Sequence, residues 1–378
     1  MNRQKLNIQF LFKFLFIFIM LTCSLILAGC LAGCTGSKDS DKLKPADDYR
    51  NAETDVLRKS AAGQSVKDSI CAGEANEQKS KQEDVLSEID EMLVQEVPPY
   101  NALFLLDKSI SIMDTKKAES AADAVEKLLK IYEIKYGDMF FSDDVEDYQK
   151  QLKDFAQGFA GINNEEITKE QAANIWEEGL SSLLDEMYDS GFKLVNLKGL
   201  WTPVIDYSRI LPYVKYLGDD YAAGIAFKAM ESDKIYRIDE TVKVSWNEIA
   251  SRIISAEDFL LKYPQSSKYA EMAGKYYDYL SVYFTGADNT PVIDDDSGKF
   301  RDEVLESYNN IVNNRNNEKF FIYKVITNYL EVISSNNNIM NVSVLDFIKQ
   351  SYKDAEKNFG IKNPYLLQAQ LKLLLIYN

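Results

Sequence analysis

The sequence predicts an all-α protein built of packed antiparallel helical hairpins, with one small β-hairpin. Three observations carry that prediction. Apolar residues recur at helical spacing in segment after segment from Val85 onward. Capping residues precede several of these segments, and Gly or Pro follows them. The period falls to two only once, between Phe192 and Ile205, where Lys198-Gly199 supplies a turn between two extended runs.

Taken in order, the chain divides into a leader (1–29), a tether (30–81) and a helical domain (82–378). Arg3, Lys5 and Lys13 precede an apolar run from Phe14 to Leu27, a length that suits a secretory signal better than a spanning helix. The run ends in Leu27-Ala28-Gly29-Cys30, repeated at once as Leu31-Ala32-Gly33-Cys34. This pattern resembles the lipobox of bacterial lipoproteins, which implies that a cysteine is lipidated and becomes the new N-terminus. Cys30 follows the apolar run directly, and Cys34 is the alternative because a polar stretch, Thr35-Gly36-Ser37-Lys38-Asp39, follows it. The resemblance implies a membrane location through covalent acyl chains, on the extracytoplasmic face of the cell membrane, or in the outer membrane if the host has two. Between Thr35 and Lys81 large apolar residues are too sparse to offset the entropy of ordering, so this stretch reads as a tether, with a short helix near 48–59.

Composition narrows the function. The 378 residues carry 43 Lys and Arg against 59 Asp and Glu, a net charge of −16. Such a surface repels phosphate backbones and excludes nucleic acid as a partner. Histidine is absent, which removes Ser-His-Asp and Cys-His nucleophile systems and His-ligated metal centres. There is no phosphate loop, dinucleotide fingerprint or CxxC pair. Neither a metal nor a cofactor is expected beyond the lipid.

Val85, Leu86, Ile89, Met92 and Leu93 make the first helical stripe, stopped by Pro98-Pro99, and Leu103 to Met113 reads as a buried helix. Asp114-Thr115 caps a helix bearing Ala118, Ala121, Ala122, Val125, Leu128, Leu129 and Tyr132, with an end at Tyr136-Gly137. A helix is expected over 143–159. Thr168 to Gln171 has the capping-box pattern and opens a helix with Ala172, Ile175, Trp176, Leu180, Leu183, Leu184 and Met187 on one face, ended by Gly191. After the hairpin at 192–205, helices are expected over 207–217 and 219–232. Ser245-Trp246-Asn247-Glu248 then forms a second capping box ahead of Ile249, Ile253, Ile254 and Phe259.

Phe259-Leu260-Leu261-Lys262-Tyr263-Pro264-Gln265-Ser266-Ser267-Lys268-Tyr269-Ala270, continuing through Ala273-Gly274 to Tyr277, resembles the helix-turn-helix junction of tetratricopeptide-like repeats in bacterial envelope-assembly lipoproteins. The resemblance implies a superhelical tendency, a small residue at Gly274 for close helix approach and an aromatic filler at Tyr277. The next segment, 286–298, breaks the repeat. Its Asp294-Asp295-Asp296 run suggests calcium, but counting back from Gly298 puts Ile293 at the first and Val304 at the twelfth position of an EF-hand loop, so the run reads as a charged turn. Helices are expected over 299–312, 319–333, 344–359 and 364–377, the last with Asn363 as its cap.

Two functional readings follow. The first is an anchored helical module in the cell envelope that binds a protein or peptide partner. The second is a carbohydrate-binding lipoprotein or a carboxylate-dependent glycosidase, using pairs such as Glu177-Glu178 and Asp185-Glu186. The candidate binding residues are Trp201, Asp206, Tyr207 and Tyr213, rings that stack on a ligand around a carboxylate that orients it, with Tyr216 and Tyr221 nearby. No catalytic residue is singled out.

Overall fold

The computed structural model describes residues 79–141, 147–159, 162 and 165–363. The leader, both lipobox cysteines, most of the tether and the helix expected at 364–377 lie outside them. The described chain is mostly helical, as the sequence predicts, and carries three small antiparallel sheets where the sequence shows one hairpin. None of the described helices is long and apolar enough to cross a membrane.

The first described helix, α1 (79–94), gives way to Pro98-Pro99, and Pro99 then occupies the first turn of α2 (Pro99–Ser109), where a missing N–H costs nothing. The long α3 (Thr115–Phe141) buries Ala118, Ala121, Ala122, Val125, Leu128, Leu129 and Tyr132 as predicted. It does not stop at Gly137. An internal glycine costs about 1 kcal/mol, whereas burying Tyr136 and Phe140 in the next turn returns about 1.5–3 kcal/mol for each large apolar side chain. The helix continues because burial outweighs propensity.

α4 (Tyr148–Gly158) begins where Asp147 accepts a hydrogen bond from the Lys150 N–H, and positions 143–146 of the helix expected over 143–159 lie outside the described residues. The capping box at Thr168 and Gln171 is present, but the helix it opens, α5 (Lys169–Ala172), ends after one turn. The Asn174 side chain donates to the carbonyls of Glu170 and Gln171, replacing the next helical donors. The chain resumes helix only at α6 (Glu178–Asp189), and Trp176, expected on the buried face, is left 85% exposed.

A three-stranded antiparallel sheet follows, β1 (Glu166–Ile167), β2 (Phe192–Leu197) and β3 (Leu200–Ile205), in that order. Leu197 pairs with Leu200 across the two-residue turn Lys198-Gly199; both turn residues have positive φ, and the Asn196 side chain accepts from the Gly199 N–H. β1 was not visible in the sequence. The far edge of β3 is closed by Gln149, whose amide both accepts from the Trp201 N–H and donates to its carbonyl, and by Pro203, which has no N–H to offer.

The helix expected over 207–217 is instead two 3-10 turns, Tyr207–Arg209 and Leu211–Tyr216. Pro212 disfavours α geometry at Leu211, and Asp206 caps the Ser208 N–H. Then come α7 (Asp219–Asp233), a short hairpin of β4 (Arg237–Ile238) and β5 (Thr241–Val242), α8 (Trp246–Lys262) and α9 (Tyr269–Thr285). Ser245 caps α8 through the Glu248 N–H, but the reciprocal arm of the predicted box is taken elsewhere: the Glu248 carboxylate accepts from Arg252. α8 and α9 form the helical hairpin predicted at the Pro264 junction. Tyr277 is fully buried there, as expected, but a side chain at Gly274 would meet nothing; Ala273, fully buried, is the small residue in the packed interface.

β6 (Gly286–Ala287) and β7 (Thr290–Pro291) form a third small sheet. Asp294 then closes its own turn by accepting from the Ser297 N–H and hydroxyl. The remaining described helices are α10 (Asp302–Asn313), α11 (Phe321–Ser335) and α12 (Val342–Phe359), the last capped by Asn341 and ended by Gly360 in the left-handed conformation.

These elements enclose two hydrophobic cores. One gathers side chains from α1 to α7 with β1 to β3, the other from α7 to α12. α7 is the shared wall. Tyr221, Ile225 and Ala229, spaced four apart, face the first core, while Phe227 belongs to the second.

Candidate functional site

Two clusters of charged side chains lie along this two-core frame. The first is a buried seam on α7. Glu126, on the apolar stripe of α3, is 3% exposed. Its carboxylate accepts from Tyr221 at 2.7 Å, from Lys228 at 2.6 Å and from Lys268 at 3.0 Å. Lys228 also reaches Glu271 at 3.1 Å, and Lys268 reaches Asp123 at 3.3 Å. The Lys268 ammonium lies 4.4 Å from the Tyr221 ring centroid, and Lys228 lies 5.5 Å from that of Tyr207. Burial by itself would push the Glu126 carboxyl up; the two lysines and the Tyr221 hydroxyl outweigh it and hold the group below its usual range. Burial and the Glu126 charge push the Tyr221 hydroxyl up. The seam ties α3, α7 and the start of α9 together, each of its two lysines reaching two carboxylates.

The second cluster lines a cleft of about 560 Å³, within the range that ligand pockets occupy. One wall is the outer face of the sheet: Lys193, Val195 and Leu197 alternate along β2 and so share a face. The other wall comes from the segment after α7 and the β4–β5 hairpin, with Ile235 and Ile238 among its lining residues. Val195 is buried, and Leu197, Ile235 and Ile238 are half-buried, which makes an apolar floor. The lining charges are Lys193, Lys198, Lys234 and Lys243 against Glu165, Glu166 and Asp233. The lining is thus net positive in a chain that is strongly acidic.

Lys193 stands out within it. Its side chain is 12% exposed, yet its ammonium has one carboxylate nearby, Glu166 at 3.8 Å, and no acceptor at hydrogen-bond distance among the described residues. Lys198, at the turn, pairs with Asp239.

The residues singled out from sequence do not line this cleft. Trp201 is 1% exposed in the first core. Tyr213 is buried there too, its hydroxyl donating to Asp107 and accepting from Arg209, with burial pushing the phenol up. Tyr207 packs against the seam, and the half-buried Asp206 is spent on its cap. Of the carboxylate pairs, Glu186 accepts from the buried Tyr136 hydroxyl. Among the described residues there is no group of three or more potential metal ligands. The seam had a signal in the sequence, an acidic residue four after Ala122 and three before Leu129 on an otherwise apolar stripe. The cleft had none, because its walls come from separate segments.

No protein-family model matches the chain, and neither does any curated protein or solved structure.

Proposed function

We propose that the chain is a lipid-anchored envelope protein, held on the extracytoplasmic side by acyl chains on Cys30 or Cys34, whose helical body binds a protein or peptide partner through the cleft between β2 and the β4–β5 hairpin. The lipobox pattern supports the anchor. The cleft supports the binding role, since a half-apolar floor with polar groups at its edge suits a short chain segment that carries both kinds of group. Support for a glycan is weaker: the rings that would stack on sugars are packed in the cores, and among the described residues no aromatic lines the cleft.

The anchor is tested by feeding cells an alkyne analogue of palmitate. Label is expected on the wild-type protein and is lost in whichever of Cys30→Ser and Cys34→Ser removes the acceptor; an unlabelled wild-type protein overturns this part. For the cleft, a photo-crosslinking amino acid placed at Ile238 in the full-length protein is expected to capture a polypeptide in native envelopes, and Leu197→Arg to abolish the adduct. Capture of glycan with no polypeptide overturns the peptide reading.

A further inference from the structure

We propose that the cleft recognises the carboxyl-terminal end of a peptide, with the terminal carboxylate bound by Lys193 and the apolar side chains laid along Val195 and Leu197. This rests on the peptide-binding reading above and adds the chemistry of the peptide.

The starting point is an incompletely paired charge. An ammonium withdrawn from water loses the acceptors that water supplied and is costly unless the protein replaces them. Lys228 and Lys268 show the usual solution: their side chains are 10% and 14% exposed, and each reaches two carboxylates at 3.3 Å or less. Lys193, at 12%, has only Glu166 at 3.8 Å. Its remaining donors border the cleft, so an anionic oxygen entering there gains a charge-assisted hydrogen bond without displacing an existing one.

Three further observations define the anion. Lys198 is already paired with Asp239, so the incompletely paired group is Lys193 alone, which a single carboxylate satisfies; a dianionic phosphate would overshoot beside Glu165, Glu166 and Asp233. The charge stands at one end of an apolar row. Lys193, Val195 and Leu197 occupy alternate positions of one strand, opposite Val204, Thr202 and Leu200 of β3. From Lys193 to Leu197 this row runs about 13 Å, the span of a few extended residues. A ligand with its only charge at one end and apolar groups behind it has the same polarity, and a peptide carboxyl terminus with apolar side chains is such a ligand.

The test is calorimetric titration of the detergent-solubilised full-length protein with the N-acetylated tetrapeptide acetyl-Ala-Val-Ile-Leu, whose only charge is its terminal carboxylate, and with its C-terminal amide. The free acid is expected to bind about ten-fold more tightly than the amide, the difference a charge-assisted hydrogen bond makes. Lys193→Met is expected to bring the two affinities together, and Lys193→Arg to keep them apart, with circular dichroism melting confirming that both variants fold. Equal binding of acid and amide by the wild-type protein, or a preference that survives Lys193→Met, overturns the carboxylate assignment and leaves the peptide reading standing. Binding of neither peptide at millimolar concentration also overturns the assignment. In that case the adduct at Ile238 decides the peptide reading separately.

Discussion

Lys228 and Lys193 are shielded from water to nearly the same degree and are treated in opposite ways. Lys228 sits on the wall between the two cores, gripped by Glu126 and Glu271, and its neighbour Lys268 is gripped by Glu126 and Asp123. Lys193 sits on a sheet face with one distant carboxylate and open space beside it. Completed pairing removes the cost of a shielded charge and leaves nothing for a ligand to satisfy, so the seam is architecture. Incomplete pairing stores that cost until a partner arrives, which is the condition for a binding site.

The difference can be broken most forcefully at the seam. Glu126→Leu leaves two shielded ammonium groups short of their shared acceptor, and removing one member of a buried ionic cluster typically costs about 3–5 kcal/mol. Urea denaturation measures that loss. A change below about 1 kcal/mol would mean that the seam is dispensable.

Glu257 sharpens the contrast as a third case, a shielded charge supplied with hydrogen bonds but with no ion pair. It is fully buried, and its carboxylate accepts from the N–H groups of Phe321 and Ile322 at the start of α11. Burial pushes its pKa up to about 7, against those two N–H groups and the more distant Lys324; Tyr276, on α9, also faces it. The folded protein therefore keeps this proton to a higher pH than the unfolded chain does. The stability it contributes is full below about pH 4.5 and is lost as pH rises to about 7, a fall of about 2–3 kcal/mol. Glu257→Gln is expected to flatten that slope. Since the groups held low, such as Glu126 and Asp123, lose stability in the acid direction, the comparison is between wild type and variant across pH 4.5–7, followed by chemical denaturation.

How far these features could be read in advance depends on how locally they are encoded. The stripe from Ala118 to Tyr132, the double proline before α2, the Lys198-Gly199 turn and the Pro264 junction each state their structure within a few residues, and each formed. The break after Ala172 did not, because it depends on one side chain, Asn174, competing for two carbonyls. The rings of Trp201 and Tyr213 were misleading for a different reason: nothing local distinguishes an aromatic that faces a ligand from one that faces a core. The cleft was invisible because two-residue strands such as β1 and β4 carry no period, and its walls meet only after the chain between them has folded.

The smallest expected effects are also the most telling, since they differ in sign. Lys228→Met and Lys193→Met make the same substitution at two equally shielded lysines, and the free energy of urea-induced unfolding of each, beside wild type, tests the distinction directly. Lys228→Met is expected to lose about 2 kcal/mol, having removed hydrogen bonds between charged groups and left Glu126 and Glu271 less paired. Lys193→Met is expected to change stability by about 1 kcal/mol or less, in the stabilising direction, because a poorly paired ammonium over an apolar floor is replaced by an apolar side chain. A Lys193→Met protein destabilised as much as Lys228→Met would show that Lys193 is as fully satisfied as its counterpart, and would contradict the account of the cleft as a site awaiting an anion.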